Sequence, residues 1–234
     1  MAIYDFPPLL SDEIINRAKK LNPAQLADGM KGLGILKDGV MEASIMPVNP
    51  DPAMTMVGTA VTVETANGDN FPIHVASYSL PAEGYVMVID GKGYPDRAYL
   101  GDLIMGACKA VGYAGIVIDG YTRDRQGCIE MNYPVYSKGQ MQAGPIKKSE
   151  GTINGPILCG GVHVNPGDLV VGGADGVTVV PRERLEEVLA KAEEKAAYEE
   201  KRDAAIAAYN AVKAEGRELP NLAPQWVLDL LNKE

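Results

Sequence analysis

The chain has 234 residues, enough for one globular domain with an appendage or for two small ones. Hydrophobic residues make up 46% and charged residues 23%, an ordinary balance for a globular protein. With 22 Lys and Arg against 31 Asp and Glu the formal charge is -9, which argues against a general nucleic-acid binder and against a membrane-surface protein.

The opening stretch through Pro7 lacks a basic segment followed by an apolar one, so no signal peptide is expected, and no apolar run is long enough to span a bilayer. Ser11 reads as the cap of a first helix with Ile14, Ile15, Ala18 and Leu21 on one face, and Pro23 opens a second short helix. Residues 56–63 are β-branched and alternating, which predicts a strand. A short helix is expected over 73–80, and the unbroken apolar run 85–90 predicts a buried strand. A helix over 102–112, with Leu103, Ala107 and Val111 facing the core, precedes a strand over 115–119. Strand, helix, strand implies a crossover and a parallel pair.

Further on, Pro134-Val135-Tyr136 predicts a short strand ending in a turn at Ser137-Lys138-Gly139, and Ile157-Leu158-Cys159 runs into Gly160-Gly161. Strands over 168–171 and 177–180 flank an Asp175-Gly176 step that favours a tight hairpin. A long helix follows Pro181 and stops at Gly216, roughly 50 Å at 1.5 Å per residue. Beyond Ala196 its apolar stripe is thin, and the tail carries Trp226, Leu228 and Leu231. The chain therefore divides into a domain over 1–181 and a helical arm over 182–234, expected to pack on a neighbouring subunit; a helix wrapped on its own domain is the alternative. The three cysteines, Cys108, Cys128 and Cys159, show no Cys-x-x-Cys spacing and read as reduced thiols in a cytoplasmic protein.

Chemistry concentrates around Asp102 and the pair Arg123-Asp124. Ligands of parallel sheets gather at the carboxyl ends of strands, near helix N-termini, and both motifs fall there. Asp124 suits direct ligation of a hard cation, with Asp102 holding water on that cation. The plain alternatives are a helix cap for Asp102 and surface ion pairing for Asp124 and Arg123. Arg123 has the planar fork that grips a carboxylate. The backbone amides of Leu103, Ile104 and Met105 are expected to lack helical partners and to face an anion. His74 and His163 have no metal-ligand spacing, and no hydrolase, phosphate-loop or dinucleotide motif occurs. Lys109 and Lys138 are weaker candidates for a Schiff-base lysine.

Ala98-x-x-Gly101-Asp102-Leu103, Asp102-x20-Arg123-Asp124, the Gly160-Gly161-Val162-x-Val164-x-Pro166-Gly167-Asp168 segment and Asp175-Gly176-Val177-x-x-Val180-Pro181 together resemble one family. It is the class II pyruvate aldolases that cleave 4-hydroxy-4-methyl-2-oxoglutarate and 4-carboxy-4-hydroxy-2-oxoadipate, over roughly residues 25–200. The resemblance implies an α/β, RraA-like α-β-β-α layered sandwich with a C-terminal helical extension, a fold shared with RraA-type regulators of ribonuclease E. It also implies Asp124 on a divalent metal, Mg²⁺ or Mn²⁺, Asp102 on metal-held water, and Arg123 with the amides of Leu103 and Ile104 on pyruvate. Glu199, with Glu200 one residue away, would reach the neighbouring subunit's site in a trimer or hexamer. Many relatives carry an acidic residue where this chain has Gly173, which leaves the substrate beyond its pyruvyl unit open. The expected reaction is metal-dependent retro-aldol cleavage of a 4-hydroxy-2-oxo acid, a small-molecule substrate, with oxaloacetate decarboxylation as a side activity. The rival readings are a protein-binding regulator of an RNA-degrading enzyme and a different metal-enolate lyase or decarboxylase.

Overall fold

A computed structural model describes residues 1–51, 53–79, 82–148 and 151–232. Its elements run β1 (Ala2–Ile3), α1 (Asp12–Ala18), α2 (Pro23–Gly32), β2 (Met46–Pro47), β3 (Met56–Thr65), α3 (Phe71–Ser79), β4 (Tyr85–Asp90), β5 (Ala98–Leu100), α4 (Asp102–Val111) and β6 (Gly115–Thr122). Then come α5 (Arg125–Glu130), β7 (Val135–Gln140), β8 (Gly151–Ile153), β9 (Ile157–Cys159), β10 (Val162–Val164), β11 (Leu169–Gly173), β12 (Gly176–Val180), α6 (Leu185–Ala214) and α7 (Gln225–Leu231).

The centre of the sheet is β3-β4-β6-β7, all parallel, with α3 and α4 as the crossovers between the first three strands. The hairpin β11-β12 joins antiparallel to β3, and its Gly173–Gly176 pairing closes a two-residue turn on Ala174-Asp175. Because strand side chains alternate, the sheet builds two cores. Met87, Ile89, Ile116 and Ile118 face α3 and α4, whereas Val86, Val88 and Val117 face the β9-β10 and β11-β12 hairpins. On the far side of the hairpin layer, α2 packs on β12, where the Thr178 hydroxyl donates to Pro23 O at 3.1 Å. This is the α-β-β-α layering that the family resemblance implies.

Local chemistry sets the element ends. Ser11 caps α1, and Asn22 with Gln25 forms a reciprocal capping box on α2. The helix expected over 73–80 starts two residues earlier, and Leu80 lies outside the described residues. The turn expected at Ser137–Gly139 is instead strand. Pairing of Tyr121 with Gly139 and of Thr122 with Gln140 carries β7 along β6. The core face of α4 also differs from the expected one. Ile104, Met105 and Cys108 are buried, while Leu103 is 82% exposed and Val111 is 40% exposed. Packing against the sheet takes the Ile104-Met105-Cys108 face, which leaves Leu103 outward.

Among the described residues the chain forms two compact units, Met1–Ala192 and Glu193–Glu234. In the first, Leu185, Val188, Leu189 and Ala192 of α6 are buried. In the second, the Arg202 guanidinium donates to Leu222 O at 2.9 Å and the Trp226 indole N–H donates to the Tyr198 hydroxyl at 3.3 Å. Trp226, Leu230 and Leu231 are exposed. Gly216 takes a left-handed conformation just past α6, as its stop position requires. The three cysteines are free and buried, and no helix of the described residues is long and apolar enough to cross a membrane.

Candidate active site

The site begins where β5 hands over to α4. Gly101, in extended backbone, is the N-cap and makes no side-chain capping bond, so Asp102 is the first helical residue and not the cap. The Met105 amide donates to Gly101 O at 3.1 Å. Met105 is therefore not a free donor, contrary to expectation, because a helix that starts at Asp102 satisfies its fourth amide internally. The amides of Asp102, Leu103 and Ile104 have no acceptor among the described residues.

Just past β6, the Arg123 amide donates to Leu100 O at 3.0 Å, which fixes this loop against the start of α4. Asp124 then adopts φ 57°, a left-handed conformation that aspartate tolerates better than most residues. The turn swings its carboxylate over Gly101, where an added Cβ would lie 2.2 Å from Asp124 Oδ2 and 3.0 Å from Arg123 Cγ. Only glycine leaves that room. Arg123 Nε sits 3.4 Å from Asp124 Oδ2, with both side chains partly open to solvent. Asp102 leans on the first turn of α5, where a Cβ on Gly127 would lie 2.9 Å from Asp102 Oδ2. Between them lies the buried thiol of Cys128. Burial, reinforced by the charges of Asp102 and Asp124, pushes its pKa up to about 11.

Beside this corner is a cavity of about 340 Å³ whose walls include Asn70, His74, Leu103, Ile104, Arg123 and Lys147. Asp102 and Asp124 flank it without lining it. Asn70 is 2% exposed; its Nδ2 donates to Tyr99 O at 2.9 Å, and its Oδ1 has no partner among the described residues. His74 follows one turn along α3, its ring stacked on Tyr78 at 5.8 Å between centroids. Burial, then the neighbouring Lys147 charge, lowers its pKa below the usual value. Arg97 donates to Gly144 O at 2.6 Å and holds that segment close to Arg123, whose Nη1 would be 3.1 Å from a Cβ on Gly144.

Asn70 and Lys147 were not foreseen, and His74 was set aside for want of metal spacing. Gly68-Asp69-Asn70 leads into a helix as Gly101-Asp102 does, a repeated signal that could have pointed to Asn70, whereas nothing local marks Lys147.

Among the described residues no three His, Cys, Asp or Glu side chains gather as a metal-holding group. The oxygen-only pair of Asp124 and Asp102 nevertheless fits a hard cation, which keeps most of its shell as water and substrate oxygens. Neither lysine named for Schiff-base chemistry, Lys109 or Lys138, lines the cavity. Lys109 donates to Met131 O at 2.7 Å, and Lys138 is paired with Asp119 at 2.9 Å and Glu42 at 3.1 Å. Burial disfavours charge on Lys138, but the hydrogen bonds it donates to both acids outweigh it and raise its pKa. His163 is exposed on β10. Glu199 lies in the second compact unit, 3.5 Å from Lys195. At Gly173 an added Cβ would lie 2.9 Å from Pro23 Cδ, so a side chain there would require Pro23 to move.

Residues 23–179 match the family model described as RraA-like, Aldolase/RraA. The chain belongs to the RraA-like family. A relative from Halalkalibacterium halodurans, named "Putative 4-hydroxy-4-methyl-2-oxoglutarate aldolase", is 40% identical over 194 residues, covering 83% of this chain and 89% of that protein. An uncharacterized protein from Pseudomonas syringae superposes on this RraA-like chain with TM-score 0.73 at 28% identity, over 88% of this chain and 96% of that one. Streptomyces coelicolor RraAS2, described as an unusual member of the RNase ES inhibitor RraA protein family, gives 0.71 at 25% identity over 84% and 97%.

Proposed function

We propose that this RraA-like chain is a carbon–carbon lyase that cleaves a 4-hydroxy-2-oxo acid to pyruvate and a second oxo compound. The observation that carries the reading is the corner itself: a guanidinium and the unpaired amides of a helix start share one cavity, with an oxygen-donor pair beside it. The name of the Halalkalibacterium halodurans relative supports the same chemistry.

In this reading the substrate carboxylate lies on Arg123 and on the amides of Leu103 and Ile104, which point along the helix dipole toward negative charge. Asp124, with Asp102 behind it, would hold a divalent cation, Mg²⁺ or Mn²⁺, which when bound supplies Lewis-acid polarisation of the 2-oxo group. Asp102 orients a water that takes the C4 hydroxyl proton. The C3–C4 bond then breaks, its electron pair passes to C3, and C4 becomes the new carbonyl. Arg123 stabilises the resulting enolate, and the proton is returned to C3 to give pyruvate. Oxaloacetate decarboxylation would pass through the same enolate. Exposed Trp226, Leu230 and Leu231 motivate a further part of the proposal, docking of the C-terminal unit on a second copy, with Glu199 delivered to its site.

A pyruvate-coupled assay with 4-hydroxy-4-methyl-2-oxoglutarate and oxaloacetate tests the reaction. Turnover should vanish with a chelator and return with Mg²⁺ or Mn²⁺; turnover indifferent to chelation would exclude the cation, and no pyruvate from either acid would exclude the lyase. Glu199→Gln should lower kcat without altering folding, and sedimentation should report an oligomer; a monomer with full activity would remove the arm from the site.

A further inference from the structure

Two Asn-Gly steps occur in the chain, Asn67-Gly68 and Asn154-Gly155, and the reaction as derived uses neither. Asn-Gly is the dipeptide most prone to modify itself, because glycine has no side chain to shield its amide nitrogen from the preceding carboxamide. The fold treats the two steps differently. Asn154 is 5% exposed, and its Nδ2 donates to Tyr4 O at 3.3 Å. Asn67 is exposed, and its carboxamide has no partner among the described residues. It shares the centre of a β-turn with Gly68, closed by the Asp69 amide donating to Ala66 O at 3.0 Å. Gly68 has φ 72°, which a type II turn requires there, so any other residue would be strained. One hydrogen bond holds this step in check. The Gly68 amide, the nucleophile of the modification, donates at 2.9 Å to the hydroxyl of fully buried Tyr99, which itself donates to Gly91 O at 2.6 Å.

We propose that Asn67-Gly68 is a self-modification site, where a succinimide forms and hydrolyses to aspartate or isoaspartate, and that the Tyr99 hydroxyl restrains it. The Gly68 nitrogen bonds to Asn67 Cγ while the Cγ–Nδ2 bond breaks, and the amide proton leaves with Nδ2 as ammonia. Water then opens the imide at either carbonyl. Opening at the main-chain carbonyl of residue 67 leaves the backbone running through Cγ, one carbon longer. Water is the only co-reactant. The cavity beside Arg123 feels the change, because its walls hang on this turn: Asn70 and His74 follow it, and Lys147 follows Ile146. Gly68 O accepts from the Ile146 amide at 2.8 Å, and the Asp69 carboxylate accepts from the amides of Phe71 and Lys148 at 2.7 and 2.6 Å. Isoaspartate at position 67 thus ties the age of the chain to the shape of the cavity, whichever reaction the cavity hosts.

Incubation of the whole chain in mildly alkaline buffer, with isoaspartate followed by peptide mass spectrometry and by enzymatic methyl transfer to isoaspartyl groups, gives the test. Asn67 should be modified in the folded chain at least about tenfold more slowly than in the chain held in urea, the worth of one buried hydrogen bond. Tyr99→Phe should remove most of that difference at Asn67 and leave Asn154 as slow as in the parent. Asn154 thereby reports whether the variant has merely loosened the fold. Equal rates at Asn67 in the folded and the urea-held parent would overturn the restraint, as would acceleration of both asparagines alike in a folded Tyr99→Phe chain. Should the variant fail to fold, the comparison within the parent decides by itself. Isoaspartate absent from position 67 even in urea would overturn the site.

Discussion

The carboxyl ends of the central strands carry charge on both faces of the sheet, and the two faces treat it differently. On the hairpin face, Glu64, Asp90 and Asp119 are closed by lysines: Lys92 sits 2.8 Å from Glu64 and 2.6 Å from Asp90, and Lys138 joins Asp119 and Glu42. The Gly160 amide donates to the remaining Asp119 oxygen at 3.0 Å, so this network is satisfied from within. On the helix face, Arg123 and Asp124 touch each other only at 3.4 Å, Lys147 and the first α4 amides have no acceptor among the described residues, and a cavity opens between them. Equal topology thus yields one cluster that holds the fold and one that waits for a ligand. Paired charge marks structure here, and unpaired charge marks the site.

The contrast can be broken from either side. Asp124→Ala should cost roughly a thousandfold in kcat and leave the melting temperature nearly unchanged, because the proposed cation would lose its protein ligand at a half-open position. Lys138→Met should do the reverse. It leaves Asp119, 8% exposed, without its counter-ion and should cost about 3 kcal/mol in urea unfolding, with kcat of the folded fraction preserved. Gly101→Ala sharpens the argument. Its backbone accepts any residue, and the nearest atom a Cβ meets is the end of the Asp124 side chain. The fold should survive while the displaced carboxylate lowers kcat about a hundredfold; unaltered activity would show that its position over Gly101 is irrelevant.

The smallest effect belongs to Glu64→Gln, about 1 kcal/mol, since the Lys92–Glu64 pair is partly open to solvent and the buried Asp90 keeps its lysine. The hydrogen bond from Lys92 is the main cause holding Glu64 below the usual carboxylate range. That stabilisation is full above the ordinary glutamate pKa and is lost as pH falls through the lowered folded value. The variant and the parent should converge in thermal stability toward acid, and a gap that widens there would reverse the sign of the argument.

Much of this could be read from the chain because the informative signals are local. The apolar run at Tyr85–Asp90 gave a strand with the right ends, and Gly112 and Gly216 stop helices through the left-handed backbone that glycine permits. The parallel crossover around α4 followed from element order alone. The face of α4 did not, since the stripe through Leu103 and the one through Ile104 and Cys108 are both apolar, and only packing chooses between them. The closed charge network was invisible for another reason: its members are spread from Glu42 to Lys138 and meet only through register, as when Glu64 pairs with Asp90 across β3 and β4. Asn70 and Lys147 belong to the same class, brought together by a loop return that no short motif encodes.

The central claim is that the start of α4 and Arg123 receive an oxo acid. A crystal structure of the protein grown with Mg²⁺ and oxalate, a mimic of the pyruvate enolate, tests it most directly. Oxalate should lie with one carboxylate on Arg123 and the amides of Leu103 and Ile104, and the cation should bind Asp124. Oxalate bound at another place with that corner vacant would contradict the account.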